Sequence, residues 1–252
     1  MEIFILGSCS GTEPQPGRHH TSWVLQYHGE LFWFDAGENC SYTAHLAGLD
    51  LCASRAVFLS HPHMDHVGGL PNLFWTIAKL RSRRGEPRDF ELPIHTAAPP
   101  QIEAMFQMLR QTEFPCSSPV IPLHEGIVLE SPIRVEARAN SHVAPHPSGE
   151  PRSYSFRITA EEKTILYSGD VGSIRELDGW TRRCDLLLME NGHHRPGEVC
   201  RYLAGIDAKI GRLVFVHHGR TMLKDPAAVL AECRTIAPFP VDVACDGMRL
   251  EL

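Results

Sequence analysis

No window of the 252-residue sequence approaches the run of about 18 apolar residues that a membrane-spanning helix requires. The opening residues 1–7 lack the basic segment and the longer apolar run of a signal peptide. No two cysteines have C-x-x-C spacing, which argues against a structural zinc ribbon. A chain of this length needs no disulfides, so we expect a reduced, cytoplasmic protein. Its eight cysteines are scattered: Cys9, Cys40, Cys52, Cys116, Cys184, Cys200, Cys233 and Cys245.

An excess of positive charge is also lacking. The formal net charge is −6 and the pI is about 6.2, which does not favour a general nucleic-acid binder. The hydrophobic content of 43% is enough for a sizeable core, and we predict a single domain over residues 1–252. One basic stretch, residues 79–88, is interpreted as a solvated helix end, with docking of an anionic substrate tail as the alternative.

The sequence is rich in histidine, with 15 residues, and the densest group is Ser60-His61-Pro62-His63-Met64-Asp65-His66. It directly follows the apolar run 56–59, which predicts a buried strand. Alternate side chains of an extended segment point the same way, so His61 and His63 can reach one metal ion. Asp65 and His66 follow the turn and can reach a second ion. The alternative is a His-rich surface loop.

An apolar strand followed by a histidine or an aspartate recurs along the chain. Asp170 follows a predicted strand at 164–167, and His217 follows one at 212–216, while His142 stands more loosely at a strand end. Open α/β folds place their sites at such strand ends. His218 and His146 are the alternatives to His217 and His142, and Asp170 has the alternative role of a helix N-cap.

Two further stretches have open interpretations. Asp35 ends a predicted strand and reads either as a helix cap or as a partner that orients a ligand histidine. The small-residue loop 7–12 is either a tight turn or a place where backbone approaches another group closely.

The pattern H-x-H-x-D-H after a hydrophobic strand resembles the signature of the metallo-β-lactamase fold hydrolases, and the resemblance covers nearly the whole chain. It implies an α/β, four-layer αβ/βα sandwich with two mixed sheets flanked by helices. It also implies two divalent metal ions, with zinc the expected metal and Mn2+ or Fe2+ fitting the same donors. One ion would be held by His61, His63 and His142, the other by Asp65, His66 and His217, with Asp170 bridging both.

The same resemblance implies a hydrolase in which a hydroxide bound to the two metals attacks the substrate. Asp65 and His194 are then the expected catalytic residues, with His194 as the general acid. His193 is a close competitor for that role, and a solvent-exposed histidine pair is the remaining alternative.

An aspartate at the bridge, and the absence of three consecutive histidines, are similar to the ribonuclease Z and cyclic-phosphate phosphodiesterase branch. Only 28 positions (170 − 142) separate His142 from Asp170, which leaves no room for the arm that grips tRNA in true processing enzymes. We therefore expect a small or cyclic phosphodiester or nucleotide as substrate, with tRNA and membranes not expected as partners.

Related enzymes commonly form dimers, so the resemblance also implies a homodimer. A lactone or ester hydrolase of the same fold and a non-catalytic metal-binding sensor are the alternative functions.

Overall fold

The computed structural model describes residues 1–112 and 117–252, so Cys116 lies outside the described residues. Its contacts divide the chain into two compact units. Unit 1 comprises residues 1–123 and 245–251, and unit 2 comprises residues 124–244 and 252. Within the described ranges, no helix is both long and apolar enough to cross a membrane.

Unit 1 is built on a seven-stranded mixed sheet. Its spatial order is β14-β1-β2-β3-β4-β5-β6, antiparallel from β14 to β3 and parallel from β3 to β6. The strands are β1 (Glu2–Gly7), β2 (Ser22–Tyr27), β3 (Glu30–Phe34), β4 (Ser54–Phe58), β5 (Ile94–Thr96), β6 (Val120–Pro122) and β14 (Arg249–Glu251).

The helices of unit 1 bury one face each in the core of that unit. They are α1 (Cys40–Leu46), α2 (Met64–Val67), α3 (Leu70–Arg83) and α4 (Pro99–Arg110), with a 3-10 turn at Leu51–Ala53. In α3 the buried side chains Leu70, Leu73, Phe74 and Ile77 recur with helical spacing. This stripe packs with strand residues such as Trp33, so the parallel strands of unit 1 are covered by apolar helix faces.

Unit 2 is built on a second seven-stranded mixed sheet, in the order β13-β12-β11-β10-β9-β8-β7. The strands are β7 (Gly126–Leu129), β8 (Arg134–Ala139), β9 (Tyr154–Ala160), β10 (Lys163–Tyr167), β11 (Cys184–Asn191), β12 (Ile210–His218) and β13 (Val241–Val243). The helices are α5 (Pro196–Gly205), α6 (Arg220–Lys224) and α7 (Pro226–Ile236), with 3-10 turns at Ile174–Leu177 and Trp180–Arg182. Strands β10 to β13 are parallel, so their carboxyl ends meet at one edge of the sheet.

The predicted α/β class, with two mixed sheets flanked by helices, is confirmed. The single-domain prediction stays a prediction. The basic stretch 79–88 fits its interpretation as a solvated helix end, because Arg81 pairs with Glu86 and Arg84 with Asp50 at the surface.

The packing of both units predicts which thiols react. Burial raises the pKa of Cys40 and of Cys184 to about 12, whereas Cys245 is exposed. In a Cys116→Ser background, we expect a thiol reagent at neutral pH to modify Cys245 within minutes and to reach the two buried thiols only on unfolding. Peptide mapping by mass spectrometry measures this, and early modification of Cys40 in the native protein would contradict the packing of unit 1.

Candidate active site

In unit 1, the turn after β4 brings together four side chains, which we call the unit 1 cluster: His61, His63, Asp65 and His66. His61 Nε2 lies 3.0 Å from His63 Nδ1, and His66 Nε2 lies 3.4 Å from Asp65 Oδ2. The rings of His61 and His66 have centroids 4.0 Å apart, and both are buried. His61 and His66 are therefore not surface residues, whereas His63 is exposed at the turn.

Asp35 forms hydrogen bonds that position residues of the unit 1 cluster. It follows β3, has a left-handed backbone conformation (φ 58°), and its buried carboxylate accepts hydrogen bonds from Ser60 N (2.7 Å) and Ser60 Oγ (2.8 Å). His66 Nδ1 donates to the same carboxylate at 2.7 Å. This contact agrees with the orienting role considered for Asp35, since it fixes the ring of His66 with Nε2 directed to Asp65.

The loop between β1 and β2 approaches Asp65 closely. A Cβ built on Gly11 would lie 2.9 Å from Asp65 Cγ, so the backbone at this position passes directly against the carboxylate. Asp246 holds both ends of the loop, because it accepts hydrogen bonds from Ser8 N (2.9 Å), Ser8 Oγ (2.7 Å) and His19 N (2.6 Å). Of the two interpretations of residues 7–12, the structure supports the close approach. The role of Asp246 was not foreseen.

In unit 2, five side chains form a second group, the unit 2 cluster: His142, Asp170, Glu190, His193 and His217. The buried Asp170 Oδ2 lies 3.2 Å from His217 Nε2, 3.6 Å from His142 Nε2 and 3.7 Å from His193 Nδ1. The metal-binding atoms of His142, Asp170 and His193 all lie within 4.8 Å of one another, and so do those of Glu190, His193 and His217. The ends of β10, β11 and β12 and the loop after β8 deliver these residues.

His217 and His218 are adjacent but have different environments. His218 is fully buried, donates from Nε2 to the carbonyl of Ala244 (2.8 Å) and accepts at Nδ1 from Asn191 Nδ2 (2.9 Å). Both of its ring nitrogens are therefore used in hydrogen bonds inside unit 2. His217, whose backbone is left-handed (φ 51°), directs Nε2 to Asp170 instead. The geometry favours His217 over His218 as a metal ligand.

His142 and His146 also have different environments. His146 lies in an exposed turn, where its Nδ1 is 2.7 Å from Ser148 Oγ. His142, in contrast, has Nε2 close to Asp170 and its side chain is only 11% exposed. The structure places the favoured member of this pair in the unit 2 cluster.

His193 and His194 also differ. His193 donates from its backbone N–H to Glu190 Oε2 (2.9 Å), its Nδ1 lies 3.2 Å from Glu190 Oε1, and its ring stacks near that of His217. His194 donates from Nε2 to the carbonyl of Val171 at 3.0 Å. His194 Nε2 also lies 3.4 Å from Glu190 Oε1, so both histidines approach this carboxylate. His193 is the one whose ring packs beside those of His142 and His217.

Glu190 was missed as a functional residue, although it lies one residue before the end of the apolar strand β11 and so fits the recurring strand-then-acid pattern. Burial raises its pKa, but the hydrogen bond from His193 and the nearby ring of His217, whose Nδ1 lies 3.8 Å from Glu190 Oε2, outweigh this and lower the pKa to about 2. The hydrogen bond to Glu190 in turn raises the pKa of His193. Glu190 is therefore a carboxylate at neutral pH, and it stabilises a proton on His193.

The chemistry of the two clusters suits divalent ions. Their donors are imidazole nitrogens and carboxylate oxygens, the set that zinc, manganese and iron share in hydrolases. The residues present therefore fit the metals that the sequence led us to expect.

Comparisons with known proteins identify the family of this chain and its fold. Residues 33–233 match the family model for the beta-lactamase superfamily domain. The ribonuclease Z of Methanothermobacter thermautotrophicus is 30% identical, with 100% of this chain and 97% of the relative covered. The ribonuclease Z of Treponema denticola is 35% identical over 44% of this chain and 33% of the relative. The aligned part of the chain thus spans about a third of the length of the first ribonuclease Z relatives that it matches.

Three solved structures share the fold at low sequence identity. The metallo-beta-lactamase fold protein YhfI of Bacillus subtilis has a TM-score of 0.75 at 18% identity, with 99% of both chains covered. The human short-form tRNase Z has a TM-score of 0.72 at 18% identity, covering 100% of this chain and 99% of the other. A diphosphatase of the PhnP family has a TM-score of 0.69 at 16% identity, covering 100% and 97%. These likenesses confirm the predicted fold class.

The contacts of Asp35 predict the effect of neutralising it. In Asp35→Asn, an amide would face the donors of Ser60 and His66, so we expect the free energy of unfolding of the metal-free protein to fall by about 1–3 kcal/mol. Urea unfolding followed by circular dichroism measures the change. Asp50→Asn, at an exposed carboxylate of the same unit, is the control and should have a smaller effect. Equal losses in the two variants would refute the special role of Asp35.

Proposed function

This chain belongs to the beta-lactamase superfamily, and from that membership we propose that it is a metal-dependent phosphodiesterase acting on a small or cyclic phosphodiester or nucleotide. The ribonuclease Z relatives indicate a hydrolytic enzyme of the phosphodiesterase type. The observation that carries the proposal is the unit 2 cluster, in which a buried aspartate is surrounded by histidines and lies beside a Glu190–His193 pair.

The ligand assignment follows the family resemblance. We propose that His61, His63 and His142 would hold one ion and Asp65, His66 and His217 the other, with Asp170 as a ligand common to both sets. Two local observations support it: Asp35 directs His66 Nε2 to Asp65, and Asp170 Oδ2 is close to His142 and His217. The nitrogen and oxygen donors make zinc the first metal to test, with manganese and iron next.

Bound divalent ions would supply a water of lowered pKa and stabilise negative charge on the phosphoryl oxygens. The residues of the chain would do the rest. We propose that Asp65, held beneath the Gly11 backbone, accepts the proton of the attacking water. We propose His193 rather than His194 as the proton donor to the leaving oxygen, because Glu190 stabilises its protonated form and its side chain is 45% exposed to an incoming substrate.

The short segment between His142 and Asp170 favours a small substrate over tRNA. This segment contains the exposed turn 146–150 and the strands β9 and β10, and no inserted domain. The net charge of −6 also weighs against a large polyanion. Among the proteins of similar fold, the diphosphatase of the PhnP family bears a name that points to phosphate-ester chemistry, and the human tRNase Z makes tRNA the competing substrate to test.

Loss of the bridging carboxylate should remove activity. We expect the wild-type protein, supplied with Zn2+ or Mn2+, to hydrolyse bis(p-nitrophenyl) phosphate, and Asp170→Ala or His63→Ala to lower kcat/KM by about 100-fold or more. Release of p-nitrophenolate and metal content by atomic emission are the measurements. The matched control is His218→Gln, which should reduce stability while retaining bound metal.

The same assays separate the competing functions. Hydrolysis of lactones or carboxylic esters alone would overturn the phosphodiesterase assignment in favour of an esterase of this fold. Two tightly bound ions without turnover of any of these substrates would favour a sensor. Cleavage of a tRNA precursor in preference to cyclic and linear dinucleotides would refute the small-substrate proposal.

The proton donor can be identified from leaving-group dependence. An alkoxide needs a proton on departure, whereas p-nitrophenolate leaves readily without one. We therefore expect His193→Ala to lower kcat by about 100-fold or more for an alkyl or ribose phosphodiester and by far less for a p-nitrophenyl ester. His194→Ala should affect both substrates alike. The reverse pattern would assign the role to His194.

A further inference from the structure

Glu176 joins two separate loops of unit 2. It lies in the 3-10 turn Ile174–Leu177, and its carboxylate accepts three backbone hydrogen bonds. Oε1 accepts from Ser141 N at 2.9 Å, and Oε2 accepts from Gly172 N at 3.0 Å and Ser173 N at 3.2 Å. Hydrogen bonds from N–H groups to an ionised carboxylate are stronger than neutral ones, so this is a firm link between the loops.

The two loops carry the residues at the centre of the unit 2 cluster. Ser141 directly precedes His142, and Gly172 lies two residues after Asp170. Because each oxygen of Glu176 binds a different loop, the carboxylate sets the spacing of the two backbones at these points. His142 Nε2 and Asp170 Oδ2 are 3.6 Å apart in the resulting arrangement.

A second observation shows how closely the loops approach. A Cβ built on Gly172 would lie 2.2 Å from Ser141 Oγ and 3.4 Å from the backbone carbon of Ser141, so the two loops are in direct contact here. The other side of the His142 turn is tied to residues beside β9, since Val143 N donates to Ser153 Oγ at 3.1 Å. Glu176 thus adds a link from this turn to the Asp170 loop.

Helix capping accounts for only part of this contact set. Ser173 and Glu176 form a capping box, in which Arg175 N donates to Ser173 Oγ (3.3 Å) and Ser173 N donates to Glu176. The bond from Ser141 N plays no part in that cap. It joins a residue 35 positions away to the turn that follows Asp170.

We propose that Glu176 is a positioning residue that sets the separation of His142 and Asp170 and thereby the geometry of the metal centre. The inference rests on the proposed function for its effect on metal binding, and on the hydrogen bonds alone for its effect on the loops. It predicts that the shape of the Glu176 carboxylate matters, because an amide keeps one acceptor oxygen and turns a donor toward the N–H groups on the other side.

The test compares the full-length wild-type protein with Glu176→Gln and Glu176→Asp. Affinity for Zn2+ is measured by competition with a chromophoric chelator, and the site geometry by the visible absorption spectrum of the Co2+-loaded protein. We expect Glu176→Gln to weaken the affinity for at least one ion by about 10–100-fold and to change the Co2+ spectrum. Turnover should fall through kcat, with KM little changed.

Glu136→Gln is the matched control. Glu136 is a carboxylate on β8 of the same unit, and its ion pairs are with Arg134 at 2.9 Å and Arg157 at 3.9 Å rather than with the backbone of the two loops. We expect its metal affinity and Co2+ spectrum to equal those of the wild type. Glu176→Asp keeps the charge but shortens the reach, so it should fall between Glu176→Gln and wild type and remains informative if the glutamine variant folds poorly.

A readout without metal separates this inference from the proposed function. In the metal-free proteins, hydrogen exchange at segments 140–143 and 170–173 should be faster in Glu176→Gln than in wild type. Unchanged exchange at 140–143, together with wild-type affinity and Co2+ spectrum, would overturn the positioning role and leave a helix cap. If the wild type binds no metal, the proposed function fails, and the exchange data alone decide whether Glu176 couples the loops.

Discussion

A carboxylate that is almost fully buried must be compensated by partners, and Asp170 meets this constraint with three histidines. The histidines come from the loop after β8 and the ends of β11 and β12, so the parallel half of the sheet in unit 2 must bring these ends together. Asp35 has the same position in unit 1, where a buried carboxylate at a strand end collects Ser60 and His66. Each unit thus places a buried carboxylate at the carboxyl ends of its strands, and unit 2 adds a second one, Glu190, beside Asp170.

Much of this could be predicted from local sequence. The strands around the hairpin at 22–34 have clear apolar patterns and turn residues between them, and α4 shows apolar side chains at helical spacing. The cluster at 61–66 needs no long-range information, because its members are neighbours in the chain. The short strand β6, only three residues long, has too little periodicity to be recognised.

The features that sequence could not reveal are those set by distant contacts. Asp246 lies more than 200 positions from the loop to which it is hydrogen-bonded. The sequence around Glu176 indicates a helix cap, and only the structure reveals its hydrogen bond from Ser141 N. His193 and His194 are adjacent residues after β11, and the sequence does not show which of the two rings packs against His142 and His217. The end of β12 supplies His217 to the unit 2 cluster and His218 to the interior of unit 2. The left-handed backbone at His217 cannot be predicted from the spacing of residues in the sequence.

The return of residues 245–251 to unit 1 bears on how the chain is made. Strand β14 and Asp246, which complete the sheet of unit 1 and fasten the loop beside Asp65, leave the ribosome after the whole of unit 2. During translation, the nascent first unit must wait with an open edge at β1 and an unfastened loop. An exposed edge strand is a template for pairing with other chains, so β1 can pair with other chains until β14 covers it.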